Sequence, residues 1–248
     1  MASSKNTDRK EEQCLQETWL NLQHEELTEL EQAAAQNRNG PKDEHKLRQL
    51  IQKIVNHFQD YTNNRTRLAR KDVSPFFAPA SGTTLENSVL WIAGCRPSSF
   101  IRLIYALSGM ETESHISQFL EGIKSGDLRE LTSKQFTMID ELQGKTIREE
   151  RNLTTRLASL QEDMVDQPLA SKMKKKGECE NADEPLDKHS QHMAGVMEEA
   201  DELRMKTLKE IVLTILEPVQ GVEYLAAAKK IRFCVYQWGK KRDREHSD

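Results

Sequence analysis

Apolar side chains recur every three or four positions through most of this chain, the signature of helices that bury one face. Leu15, Trp19, Leu22, Leu27, Leu30 and Ala34 predict an amphipathic helix over 13–35. The run from Asn37 to Pro41 ends it, with Gly40 suited to the left-handed cap. Leu47, Leu50, Ile51, Ile54, Val55, Phe58 and Tyr61 share one side of a second helix that should run to about Ala69. Pro75 and Pro79 then forbid a continuous helix across 72–82, where Phe76 and Phe77 are expected to anchor the segment to the core.

The next stretch, Leu85 to Leu107, reads LENSVLWIAGCRPSSFIRLIYAL. It holds two apolar runs around a Gly-Cys-Arg-Pro break. Thr83 or Thr84 can cap a helix to about Ala93; Gly94 ends it, Pro97 blocks continuation, and Ser98 caps a new helix to about Leu107. The expectation is a bent helix pair at 84–107, with Trp91, Gly94, Arg96, Pro97 and Ser98 as a structural corner.

Beyond a polar patch at 110–130, Thr132 and Gln135 match a capping box, and a long helix is predicted over about 133–166. Leu153, Leu157, Leu160 and Met164 step like a short heptad seam, enough for one bundle contact. Residues 167–190, with Lys172 to Lys176 and then an acidic, apolar-poor run, read as a flexible, solvated loop. Strong periodicity returns over 191–216, Glu217-Pro218 interrupts it, and a final helix is expected over 218–238. The fold class is therefore all-α, an irregular multi-helix bundle. One domain spans 11–239, between a disordered N-terminus at 1–10 and a basic tail at 240–248.

Composition agrees. The 248 residues include only 11 glycines and 7 prolines, few for a turn-rich β protein, and 31% are charged, as solvated helix faces require. A net charge of -4 argues against a globally basic nucleic-acid-binding surface. No secretory leader is expected in the first 13 residues, and no apolar run is long enough to span a membrane. Cys14, Cys95, Cys179 and Cys234 are too dispersed for a zinc pattern and read as reduced thiols.

Catalytic motifs are missing: there is no Gly-rich phosphate loop, His-Glu-x-x-His, nucleophile elbow or kinase signature. Cys95 has no histidine near it in sequence, and His189 and His192 would need further ligands to hold a metal. The chain reads as a non-enzyme. The C-terminus does carry a recognition signal. Between Lys229 and Arg244 there are seven Lys/Arg and one Asp, interleaved with Ile231, Phe233, Val235 and Trp238. A basic amphipathic helix of this kind suits helix-in-groove binding, of which calmodulin is one example. Trp19, Lys229, Lys230, Arg232, Phe233, Tyr236, Trp238, Lys240, Lys241 and Arg242 are thus the candidate partner-binding residues. The plainer alternative buries those apolar groups in the core.

Three blocks carry a family resemblance: Cys14 to Leu30 (CLQETWLNLQHEELTEL), Leu85 to Leu107, and Glu198 to Gly239 with its Ala-Asp-x-Leu-Arg run. Together they resemble the plant seed-dormancy control domain, named for delay of germination, which also forms the C-terminal part of TGA-class bZIP factors. The resemblance implies an all-α regulatory domain in the nucleus or cytoplasm, linked to abscisic-acid signalling through type 2C phosphatases. It also implies haem and calmodulin binding in some members. With no basic region or leucine zipper ahead of the domain, a stand-alone type is expected, without direct DNA binding of its own. For haem, an i, i+4 histidine pair on the last helix would serve; here those positions are Arg232 and Tyr236, with only His246 nearby, so no cofactor is expected. The alternatives are a DNA-associated transcription regulator and a haem or small-molecule sensor; self-association stays open.

Overall fold

The computed structural model describes residues 2–39, 43–109, 127–165 and 183–246, and the regular elements among them are helical. They are α1 (Ala2–Asn39), α2 (Glu44–Ala69), α3 (Ser74–Phe77), α4 (Thr84–Ser88), α5 (Ser98–Ser108), α6 (Ser133–Met164), α7 (Asp183–Lys209) and α8 (Pro218–Glu245). A 3-10 turn at Asp127–Glu130 precedes α6, and a π-helical turn, Glu210–Ile215, ends α7.

The starts of these helices follow from their sequences. The Lys46 N–H donates to Asp43 at the head of α2 (3.2 Å). Thr83 and Glu86 form a reciprocal capping box on α4, as Thr132 and Gln135 do on α6. Pro218 at the first position and Gln220 at the third open α8. Gln135 Nε2 also donates to Ile215 O (2.9 Å) and Gln220 Oε1 (2.7 Å), so one side chain joins the start of α6 to the break before α8.

Packing radiates from α8. From Pro218 to Ala227 only Val219 is not fully buried, and this half-helix touches α1, α2 and α5. Ile51, Ile101, Ile104, Ile139 and Ile211 join it in one apolar cluster. Each such side chain contributes about 1.5–3 kcal/mol when fully buried. A second cluster, around Phe76, Ile92, Leu153, Met197 and Ala200, lies at the other end of α7.

Five expectations are corrected. The helix expected to reach Ala93 stops at Ser88, and 89–97 form a tight non-helical turn instead. Ser98 does not cap α5: Pro97 holds that position, and the Glu150 carboxylate of α6 accepts from the Ser98 N–H (2.6 Å) and hydroxyl (3.0 Å). The loop expected at 167–190 is helical from Asp183, where α7 begins; 166–182, including Cys179 and the lysine run, lie outside the described residues. The final helix does not stop at Trp238, because most of the expected basic tail continues it to Glu245. The helix expected at 13–35 lies within α1, which begins at Ala2 and so also covers the segment expected to be disordered at 1–10.

Candidate functional site

The turn after α4 is the most constrained element in the described chain. Ile92 (φ 43°) and Ala93 (φ 58°) both adopt the left-handed conformation, which costs a non-glycine residue about 1–2 kcal/mol. Trp91 and Gly94 exchange backbone hydrogen bonds of 2.7 and 3.1 Å across it. Two buried arginines hold the carbonyls that point inward. Arg204 of α7 donates to Trp91 O (2.6 Å), Ile92 O (2.9 Å) and Cys95 O (2.7 Å), and Arg65 of α2 donates to Ala93 O (2.6 Å). All five carbonyls from 91 to 95 therefore have a donor. A Cβ on Gly94 would lie 2.8 Å from Arg204 Cζ, which explains the glycine.

Asp201 balances the two guanidiniums. Its Oδ1 accepts from Arg204 Nη1 (2.6 Å), and its Oδ2 faces Arg65 Nε at 3.5 Å. Arg65 also lies over the rings of Tyr61 (5.6 Å) and Phe76 (5.5 Å), and Arg204 over Trp91 (5.4 Å). Of the other corner residues, the exposed Arg96 pairs with Glu150 (3.0 Å), Trp91 donates its indole N–H to Thr154 (3.0 Å), and Pro97 is buried. Cys95 is an exposed thiol. The corner is a joint whose five inner carbonyls are all bonded, while Arg65 Nε and Asp201 Oδ2 face each other at 3.5 Å without a hydrogen bond.

A second polar network lies between α1, α2 and α8. Glu26, Gln23 and Lys229 are buried. Lys229 Nζ donates to Glu26 Oε2 (2.5 Å) and Gln23 Oε1 (2.9 Å), and Glu26 Oε1 meets His57 Nδ1 at 2.7 Å. Burial pushes the Lys229 ammonium below its ordinary range, and Glu26 works against that shift.

The candidate partner residues separate into two groups. Trp19 and Lys229 are inside the protein. Trp19 stacks on Tyr61 with ring centroids 4.3 Å apart, and Lys229 is committed to Glu26. Lys230 pairs with Glu31 (2.7 Å), and Phe233 packs edge-on against His24 (4.9 Å). These four join α1 to the body, because α1 and α8 cover each other where both were expected to face partners. The second group lies on the outer end of α8. Arg232, Lys240, Lys241 and Arg242 are exposed, Trp238 is 48% exposed, and Tyr236 is half-buried with Lys240 over its ring (5.5 Å). This end is held in place: Gly239 packs against Thr83, and Asp243 accepts from the Thr84 N–H (3.1 Å).

A cleft of about 690 Å³ opens between α2 and α7. Arg70–Glu198 (3.0 Å) and Lys209–Gln59 (3.0 Å) bridge it, and its walls carry charges of both signs. Its lining holds no histidine, cysteine or tyrosine, and Arg232 and Tyr236 of α8 do not border it. Among the described residues, no three His, Cys, Asp or Glu side chains are grouped to hold a metal, and no helix is long and apolar enough to cross a membrane.

Arg65, Glu150, Asp201, Arg204 and Glu26 went unnoticed in the sequence because each is one more charge in a highly charged chain. Their signal is register: Asp201 and Arg204 stand where α7 otherwise places Met197, Ala200, Leu208 and Ile211.

Comparison with known proteins supports the three-block resemblance. A family model for seed dormancy control matches residues 26–106, which include the Arg65 anchor and the whole corner. Protein DOG1-like 1 of Arabidopsis thaliana is 39% identical over 97% of this chain and 92% of its own length. Protein DOG1-like 3 of the same plant is 38% identical over 92% of this chain and 83% of its own. The rice transcription factor TGA2.3 is more distant, 24% identical over 60% of this chain and 38% of that protein. With identity of this level sustained from the first helix to the last, the chain belongs to the seed-dormancy-control family of DOG1-like proteins.

Proposed function

We propose that this protein is a non-catalytic adaptor in abscisic-acid-linked control of dormancy or germination, acting through protein partners in the nucleus or cytoplasm and without a bound cofactor. One observation carries this reading. The outer end of α8 presents Arg232, Lys240, Lys241, Arg242 and a half-exposed Trp238 on a helix locked to α4. A rigid basic surface with an aromatic anchor suits an acidic partner, because Trp and Arg dominate binding energetics at protein interfaces. The buried ionic groups support the same reading: Arg204, Asp201, Arg65, Glu150, Glu26 and Lys229 join helices together.

Type 2C phosphatases and calmodulin are the partner classes proposed. For calmodulin the available surface is short, since Leu225 is in the core and Ile231 packs against it. A second reading, a transcription regulator, draws on similarity to TGA6 of Arabidopsis thaliana, 22% identical over 84% of this chain. Affinity capture from imbibed seed extract separates the two. The intact protein is compared with a variant carrying Arg232→Glu, Lys240→Glu and Lys241→Glu. Phosphatase or calmodulin recovered with the intact protein and lost with the variant supports the adaptor. Recovery of bZIP factors and chromatin proteins instead supports the transcriptional reading.

A further inference from the structure

The contact between α1 and the body has an unusual charge pattern. From residue 10 to residue 37, α1 carries the acids Glu11, Glu12, Glu17, Glu25, Glu26, Glu29 and Glu31 against the single cation Lys10. The surface under it is the reverse. Glu11 pairs with Lys71 (3.2 Å), Glu29 with Lys53 (2.8 Å), Glu31 with Lys230 (2.7 Å), and Glu26 with Lys229 and His57. Glu12 is buried with Oε1 unpartnered, within electrostatic reach of Arg65. Each of these contacts has its acid on α1 and its base on α2, on α8 or just after α2. Its apolar face is buried too: Trp19 stacks on Tyr61 and Phe58, and Leu30 is wholly buried in the main apolar cluster with Leu27, Ala33 and Ala34 against it.

An apolar face flanked by a one-signed row of ion pairs is how a protein holds an amphipathic ligand helix. Exposed ion pairs contribute little net stability and weaken with salt. Among the paired lysines only Lys229 is buried, and its partners Gln23 and Glu26 are both on α1, so its cover goes with that helix; Arg65, also buried, keeps Asp201. The groove thus favours an occupant by sign and shape while keeping release feasible.

We propose that the groove between α2 and α8, filled here by α1, is a docking surface for an acidic amphipathic helix of a partner protein, with α1 as its built-in competitor. The partner helix would carry an aromatic for the Phe58/Tyr61 slot and carboxylates for Lys53, Lys71, Lys229 and Lys230. The idea rests on the adaptor reading and gives it a second surface, distinct from the outer end of α8. An occupied docking site lowers apparent affinity by the fraction of chains in which it is open.

The test uses the full chain and a fluorescein-labelled peptide of its own residues 10–37 as probe. Glu29→Lys, Leu30→Asp and Glu31→Lys together set like charges opposite Lys53 and Lys230 and remove the buried apolar anchor of α1, while leaving α2 and α8 unchanged. Hydrogen exchange should show α1 deprotected and α2, α5 and α8 still protected. The peptide should then bind the variant roughly tenfold more tightly than the parent, and less tightly as salt rises. A peptide with Trp19→Ala and Glu26→Gln should not bind. The proposal is overturned if α1 keeps its protection in the variant, if both peptides bind alike, or if a deprotected variant binds neither. Concentration-dependent dimerisation of the variant without peptide would also overturn it, by assigning the groove to a second copy. The assay uses purified protein alone, so its failure leaves the seed-extract result standing.

Discussion

Replacing Arg204 tests whether two arginines hold the corner. The guanidinium is 2% exposed and makes three hydrogen bonds to backbone carbonyls and one to Asp201. Hydrogen bonds to charged groups contribute about 1.5–3 kcal/mol each in net terms, and water entering the vacated space would recover part of that. Asp201 would keep only the 3.5 Å approach of Arg65, and removing one member of a buried pair costs about 3–5 kcal/mol. Arg204→Ala should therefore cost about 4–5 kcal/mol, a large share of the roughly 5–15 kcal/mol that stabilises a typical domain.

Arg204→Lys sharpens the test. An ammonium keeps the attraction to Asp201, but its donors radiate from a single atom. The carbonyls of Trp91 and Cys95 accept from two different nitrogens of the planar fork, so the lysine should lose about 2–3 kcal/mol. Urea unfolding followed by circular dichroism measures both variants, and amide exchange at Trp91 and Gly94 reports the turn. Arg96→Ala is the control: its guanidinium is half exposed, and Glu150 keeps its bonds to Ser98, so the loss should stay near or below about 1 kcal/mol. If both Arg204 variants lost less than about 1 kcal/mol and the Trp91 and Gly94 amides stayed protected, the corner would be held by something else.

Two helix glycines should respond in opposite directions to alanine. A Cβ on Gly239 would lie 2.1 Å from Thr83 Oγ1, so Gly239→Ala should free the end of α8 from α4 and lower the melting temperature; a rise would contradict the tight packing. Gly195 has nothing within 4 Å, so Gly195→Ala should stabilise by about 0.8 kcal/mol through helix propensity alone. Burial pushes the Glu12 carboxyl above its ordinary value, so the folded chain holds that proton to higher pH than the unfolded chain. Its contribution favours folding at acid pH and is lost as pH rises through the raised pKa. Glu12→Gln should remove that loss, giving a variant more stable than the parent at neutral pH but not in acid; parallel stability-pH curves would refute it.

Periodicity located α2, α5 and α6 well because apolar residues set the rhythm of each inward face, even where α2 also buries Arg65 and α6 buries Gln135, Thr146 and Glu150. The capping box at Thr132 was equally legible, because donor and acceptor lie three residues apart in the chain; at the head of α4 the sequence left Thr83 and Thr84 open, and Thr83 is the cap. The corner was not. Nothing between Ser88 and Pro97 forbids a helix as far as Ala93; the turn exists because Arg65 and Arg204, remote in sequence, hold four of its carbonyls. The apolar residues of 88–93 read equally well as a helix or as a turn packed on its neighbours. Only the tertiary donors decide between the two.

The misplaced partner residues have a related cause. Trp19, Lys229 and Lys230 were assigned to the surface because charge and amphipathicity suggest solvent and partners. The same pattern arises when one helix is the partner of another within a chain. An acidic α1 laid across basic positions of α2 and α8 satisfies each charge internally, and sequence alone does not reveal which helix answers which. Register does carry the missing information. Glu26 follows Leu15, Trp19 and Leu22 and precedes Leu30 on the inward face of α1, and Arg65 falls between Phe58, Tyr61 and Leu68 on that of α2. A charge at a core position of a helix must meet its opposite, because leaving it alone there costs too much. Sign narrows the choices for such in-register charges, and the fold selects Glu26 with Lys229 and Asp201 with Arg65 and Arg204. These pairs tie α1 to α8 and α2 to α7, and with them comes the approximate packing order of the bundle.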